Sequence, residues 1–119
     1  MKFICYPKCS TCKKAEKWLR ERNLEFQMRD IKEDNPTAAE LAEWIEASGK
    51  PIKKFFNTSG LKYKELGLKD KLAEMTDEEK LLLLAEDGML VKRPILVKGS
   101  GTDMKVAVGF KEAEWEELI

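Results

Sequence analysis

The spacing of apolar positions changes several times along the chain, and each change marks an element. Phe3-Ile4-Cys5 is a short apolar run closed by Pro7, the pattern of a strand. From Ser10 the spacing becomes helical. Cys12, Ala15, Trp18 and Leu19 recur three and four apart, with Lys13, Lys14, Glu16 and Lys17 between them, and Asn23 suits the helix end. Phe26 and Met28 then alternate with Glu25, Gln27 and Arg29, which predicts a half-buried second strand. Residues 30–36 read as a polar loop. Thr37-Ala-Ala-Glu40 has the form of a capping box, and Leu41, Trp44 and Ile45 give the helix behind it an apolar face until Gly49 and Pro51 stop it.

Residues 52–88 read as short helices. Thr76-Asp-Glu-Glu79 is a second capping box, opening a helix that buries part of Leu81-Leu82-Leu83-Leu84 and ends at Asp87-Gly88. Pro94-Ile95-Leu96-Val97 reads as a strand, residues 98–103 as a Gly- and Ser-rich hairpin loop, and Met104, Val106 and Val108 as the alternating partner strand. A closing helix after Gly109 turns Trp115, Leu118 and Ile119 inward. A strand-helix-strand start implies a parallel pair with a right-handed crossover, and the hairpin adds antiparallel strands. The expectation is an α/β fold: a four-stranded mixed sheet in thioredoxin-like order, with a helical insertion over about 37–88, in a single domain covering 1–119. Trp18, Trp44 and Trp115 lie on apolar helix faces and are assigned to the core.

Composition narrows the function. A chain of 119 residues with 43% hydrophobic and 37% charged residues is globular with a heavily charged surface. Lys+Arg and Asp+Glu are both 22, so no global field draws the chain to nucleic acid or to an anionic membrane. No apolar run approaches the roughly 20 residues needed to span a bilayer. The first residues reach Pro7 and Lys8 too soon for a signal peptide, so the chain is read as cytoplasmic. Thiols there are mostly reduced, and a close cysteine pair is more often catalytic or metal-binding than structural. There is no histidine, which removes the commonest general base and metal ligand.

All three cysteines fall in Cys5-Tyr-Pro-Lys-Cys9-Ser-Thr-Cys12. Cys9 sits at or just before the first turn of the first helix, where unpaired N–H groups and the helix dipole stabilise a thiolate. Lys8, Lys13 and Lys14 add positive potential. Cys12 lies one turn further, within reach of a disulfide formed at Cys9. Cys5, inside a strand, reads as a small buried residue. A zinc site would need a carboxylate or a partner chain as fourth ligand. A phosphatase-type loop would need an arginine six residues after its cysteine, where this chain has Ala15. Lys92-Arg93-Pro94 precedes the third strand; in a thioredoxin-like domain a cis proline lies beside the dithiol at this point, and Arg93 would then approach the cysteines and hold an anion or a thiolate. Asn57-Thr58-Ser59-Gly60 is a polar turn that could line the same site.

Five motifs in order resemble the ArsC/Spx family, which contains glutaredoxin-linked arsenate reductases and the Spx and MgsR-type regulators. They are Tyr6-Pro-Lys-Cys9-Ser-Thr-Cys12-Lys-Lys-Ala15, Phe55-Phe-Asn57-Thr-Ser-Gly60, Tyr63-Lys-Glu-Leu-Gly67-Leu68, Gly88-Met-Leu-Val-Lys-Arg93-Pro94-Ile95 and Val108-Gly-Phe110. The resemblance implies a redox-active Cys9 with Cys12 as its partner, Arg93 beside it and a cis Pro94. Lys8, Ser10, Thr11, Asn57 and Pro94 would border the substrate. It implies no bound cofactor or metal, and glutathione with glutaredoxin, or thioredoxin, as electron donor. On the Spx side it implies the RNA polymerase α subunit as partner. Family arsenate reductases surround the oxyanion with three arginines. Here Arg93 matches one, Asn57 stands where the first is expected, and no arginine is near Gly109-Phe110. An arsenate held by one guanidinium lacks two charge-assisted contacts of about 1.5–3 kcal/mol each.

Overall fold

The computed structural model describes residues 1–119. Four strands form one mixed sheet: β1 (Lys2–Cys5), β2 (Gln27–Asp30), β3 (Ile95–Lys98) and β4 (Lys105–Val108), in the order β2-β1-β3-β4. β1 runs parallel to β2 and antiparallel to β3, and β4 is antiparallel to β3. The β1–β2 crossover is α1 (Ser10–Glu21). Between β2 and β3 lie α2 (Ala38–Ser48), α3 (Leu61–Glu65), α4 (Leu68–Lys71) and α5 (Asp77–Glu86), joined by short 3-10 turns, and α6 (Glu112–Leu118) closes the chain.

β1 and β3 are buried on both faces, which is why they read as apolar runs rather than as alternations; β4, expected from an alternation, is buried on both faces as well because the small Ala107 packs on the far side. Phe3, Cys5, Leu96 and Ala107 face one core with Trp18 of α1 and Trp115 of α6, whereas Ile4, Ile95, Val97, Val106 and Val108 face a second core under α2, α4 and α5. Trp115 is wholly buried, with Phe3, Trp18 and Phe110 edge-on around it at 6.2, 5.8 and 4.9 Å. Its Nε1–H donates to Gly109 O at 2.9 Å, tying α6 to the end of β4.

Both capping boxes form. Thr37 and Thr76 each accept from the N–H three residues on, and Glu40 and Glu79 accept in return from Thr37 N–H and Thr76 N–H. Gly49 ends α2 at φ +68, the left-handed conformation that glycine takes at least cost. The second strand departs from its expected burial. Met28 is 45% exposed, because β2 is an edge strand and its sulfur meets the Arg20 guanidinium of α1, at 3.8 Å, instead of a core. Phe26, just before the strand, is the half-buried residue and packs edge-on against Phe3 at 5.6 Å.

Arg29 of β2 crosses the sheet edge to α2, where Nη1 and Nη2 grip the two Glu40 oxygens at 2.6 and 2.9 Å. This pair and the Thr37 cap hold the Glu40 carboxyl well below its ordinary range, at about 2. A depressed carboxylate contributes stability above its unfolded pKa and loses it as pH falls through the folded value. A Glu40→Gln variant should therefore be less stable than wild type at pH 7, by roughly 1–2 kcal/mol for a partly exposed bidentate pair. The gap should close between about pH 4.5 and pH 2. Denaturant titrations across that window would check it, and a gap that does not change with pH would count against the ion pair.

Candidate functional site

After β1 the chain turns at Tyr6-Pro7-Lys8. Cys9 N–H donates to Tyr6 O at 2.9 Å, which delivers Cys9 to the N-cap of α1 with extended backbone (φ −82, ψ 125). The first helical hydrogen bond runs from Lys13 N–H to Cys9 O at 3.0 Å, so the amides of Ser10, Thr11 and Cys12 precede it and lack helical partners. The Cys9 side chain makes no capping bond and is half-buried. Cys9 Sγ therefore lies at the positive end of a twelve-residue helix.

Cys12 is one turn along and fully buried in the core that also holds Cys5, Ala15, Trp18 and Leu96. Its Sγ accepts from Tyr6 N–H at 3.3 Å. The hydrogen bond it shares with Cys5 and its burial push the Cys12 thiol strongly up, so it keeps its proton. Cys5, buried at the end of β1, is thus both core and the neighbour that sets the protonation of Cys12. A Cys5→Ala variant should lower the Cys12 titration point. Carbon chemical shifts of the cysteine β-carbons against pH would read it, and an unmoved Cys12 would rule out the Cys5 contact as the cause.

Arg93 and Pro94 come from the segment before β3, and their peptide bond is cis. The half-buried Arg93 guanidinium donates to Met89 O at 3.3 Å and lies over the Tyr6 ring at 5.1 Å. Pro94 is buried, and its carbonyl accepts from Gly109 N–H at 2.8 Å. Asn57 is placed by its own N–H, which donates to Leu90 O at 2.8 Å; its side chain lies against Gly60, where an added Cβ would come within 2.6 Å of Asn57 Nδ2.

These segments border one open groove of about 990 Å³. Cys9, Thr11, Asn57 and Arg93 all line it. Cys12 and Pro94 are buried and do not line it, and Lys8 and Ser10 are exposed and do not line it either. The groove also contains side chains that the linear motifs did not single out: Lys50, Lys53 and Lys54 from the end of α2 and the 3-10 turn after it, and Lys111 from the start of α6. Lys53-Lys54 lies only three residues before Asn57, and Lys92 directly precedes Arg93; those two basic pairs were the available signal. No three His, Cys, Asp or Glu side chains come together as a metal-binding group.

The profile of the ArsC family matches residues 5–118. The chain belongs to the ArsC family. In the crystal structure of an ArsC-family-related protein from Bacteroides fragilis the same fold recurs with a TM-score of 0.91 and 56% identity, covering 99% of this chain and 96% of that one. The regulatory protein MgsR of Bacillus subtilis is 33% identical over 98% of this chain and 87% of its own length. An arsenate reductase of Rhizobium meliloti is 30% identical over 81% of this chain and 67% of its own. The ArsC family thus has both regulators and reductases among the relatives of this chain, on an α/β fold of thioredoxin-like order. No helix is long and apolar enough to cross a membrane.

Proposed function

We propose that this ArsC-family chain is a thiol–disulfide redox protein of the cytoplasm in which Cys9 is the nucleophile, Cys12 resolves its adducts and Arg93 holds an anionic group beside them. The observation that carries this reading is the contrast between the two cysteines. Cys9 opens into the groove at a helix N-terminus, and Cys12 is buried one turn behind it. Such a pair attacks from outside and releases from inside. The alternative of arsenate reduction has less support, because Arg93 is the only arginine lining the groove. Thr11 and Asn57 are neutral donors there and contribute orientation rather than charge. Glutathione with glutaredoxin, or thioredoxin, is the reductant this chemistry would draw on.

The test is a Cys12→Ser variant challenged with a small disulfide. A mixed disulfide at Cys9 should persist in the variant and collapse to a Cys9–Cys12 disulfide in the wild type, both read by mass mapping. Equal lifetimes in the two proteins would remove Cys12 from the mechanism.

A second reading, a redox-sensing regulator that binds the RNA polymerase α subunit, is favoured by the match to MgsR over 98% of the chain. Purified α subunit should then co-elute with the chain in one redox state, and co-elution in neither state would dismiss it.

A further inference from the structure

The chain as a whole is neutral, but the groove is not. Six cationic side chains line it: Lys50, Lys53, Lys54, Lys92, Arg93 and Lys111; no carboxylate does. Lys50 is paired with Glu114 at 2.9 Å. The other five make no ion pair within the chain. They come from three separate segments, before Asn57, before Pro94 and after Gly109, and line the same groove as Cys9. Gathering like charges repels, and the arrangement is relieved only when an anion occupies it. The space is also far larger than a tetrahedral oxyanion needs. It is at the upper end of pockets that take whole organic ligands of about 300–1,000 Å³.

We propose that the groove receives the disulfide of a phosphorylated, nucleotide-sized thiol, an inference that rests on the thiol-exchange reading of Cys9. Four of the five unpaired cations are lysines, which meet phosphates as point charges. A ligand with an ammonium group of its own, as a γ-glutamyl peptide has, would find no carboxylate in the lining to receive it. A phosphorylated thiol carries no such group. Phe110 supplies a half-buried aromatic face, braced edge-on by Trp115 at 4.9 Å and Trp18 at 6.0 Å, against which an apolar stem or a base can lie.

The exchange balances as follows. The Cys9 thiolate attacks one sulfur of the disulfide, forming a Cys9–thiol mixed disulfide and releasing the first thiolate, which takes a proton from water. The Cys12 thiol passes its proton to solvent water, and the resulting thiolate attacks Cys9 Sγ. The Cys9–Cys12 disulfide forms, and the second thiolate leaves and is protonated. Two electrons pass from the dithiol to the substrate, and an external thiol or dithiol restores the protein.

The experiment measures second-order rates of thiol release by the full chain with four disulfides at low salt: coenzyme A disulfide (phosphorylated), oxidised glutathione (carboxylate and ammonium), hydroxyethyl disulfide (neutral) and cystamine (cationic). Coenzyme A disulfide should exceed hydroxyethyl disulfide by about tenfold or more, the lower end of electrostatic steering. It should also exceed oxidised glutathione, and cystamine should be slowest. Raising the salt, or combining Lys54→Gln, Lys92→Gln and Lys111→Gln, should shrink that advantage towards unity. Coenzyme A disulfide no faster than the neutral disulfide, or oxidised glutathione fastest of the four, overturns the inference and leaves the Cys9 reading standing. A Cys9 that reacts with none of them overturns both.

Discussion

Cys9→Ser should abolish reaction with disulfides, lowering the rate by on the order of 10³ or more, as the loss of a covalent nucleophile does. The argument starts from the turn at Tyr6-Pro7-Lys8, which closes through Cys9 N–H and leaves the side chain at the cap of α1 without a hydrogen bond of its own. Three free amides and the helix dipole face that position, and Arg93 and Lys92 border the same groove. A serine hydroxyl there can accept from the first-turn amides and so preserve the helix, but it is not a nucleophile towards sulfur. The variant should fold as the wild type does, with an unchanged thermal midpoint, and should form no mixed disulfide detectable by mass. Cys5→Ala is the companion control. It removes a buried sulfur from the core but leaves the attacking group, so adduct formation at Cys9 should survive. If Cys9→Ser still forms adducts at Cys12, the assignment of roles between the two is reversed.

Gly88→Ala should be the most damaging single-methyl substitution in the chain. Gly88 opens the 3-10 turn Gly88–Leu90 and packs directly on the backbone after β2. An added Cβ would lie 1.9 Å from Ile31 O and 2.8 Å from Ile31 C, closer than any real contact, and neither atom belongs to a flexible side chain. The turn or the loop must move, at a cost of about 3 kcal/mol or more. For a domain of this size that is a fall in Tm of roughly 10 °C or more. The displacement should reach the site. Met89 O accepts from Arg93, Leu90 O from Asn57 N–H at 2.8 Å, and Lys92 N–H donates to Phe55 O at 2.7 Å, so this one turn sets both basic walls of the groove. Gly49→Ala gives the contrast. Its surroundings are empty within 4 Å and only its positive φ opposes a side chain, so about 1 kcal/mol is expected. Thermal melts of the two variants would test this, and a Gly88→Ala protein within 1 kcal/mol of wild type would refute the close approach.

Much of this was readable in the linear sequence, for local reasons. Capping boxes span only four residues, so Thr37-Ala-Ala-Glu40 and Thr76-Asp-Glu-Glu79 marked the starts of α2 and α5 without any tertiary context. The helical spacing of Cys12, Ala15, Trp18 and Leu19 marked the buried face of α1, and the apolar runs at Phe3-Ile4-Cys5 and Pro94-Ile95-Leu96-Val97 marked strands, which the structure buries on both sides. Cys9 and Cys12 could be placed on either side of a helix start because strand, turn and helix follow directly. Met28 was misjudged because alternation shows which residues share a face, not whether anything covers that face.

The groove belongs to the tertiary structure. Of the groove's lysines only Lys92, beside Arg93, stood in a candidate motif; Lys50, Lys53, Lys54 and Lys111 are scattered along a chain whose acidic residues bring the total charge to zero. Coulomb interaction depends on distance in space and not along the chain. The sequence by itself determined the elements, the caps, the family motifs and the position of Cys9 at a helix start. Only the packing of the segments before Asn57, before Pro94 and after Gly109 gathered the positive charge into the groove that Cys9 lines. It also buried Cys12 against Cys5, because burial and field both arise from neighbours that are remote in sequence.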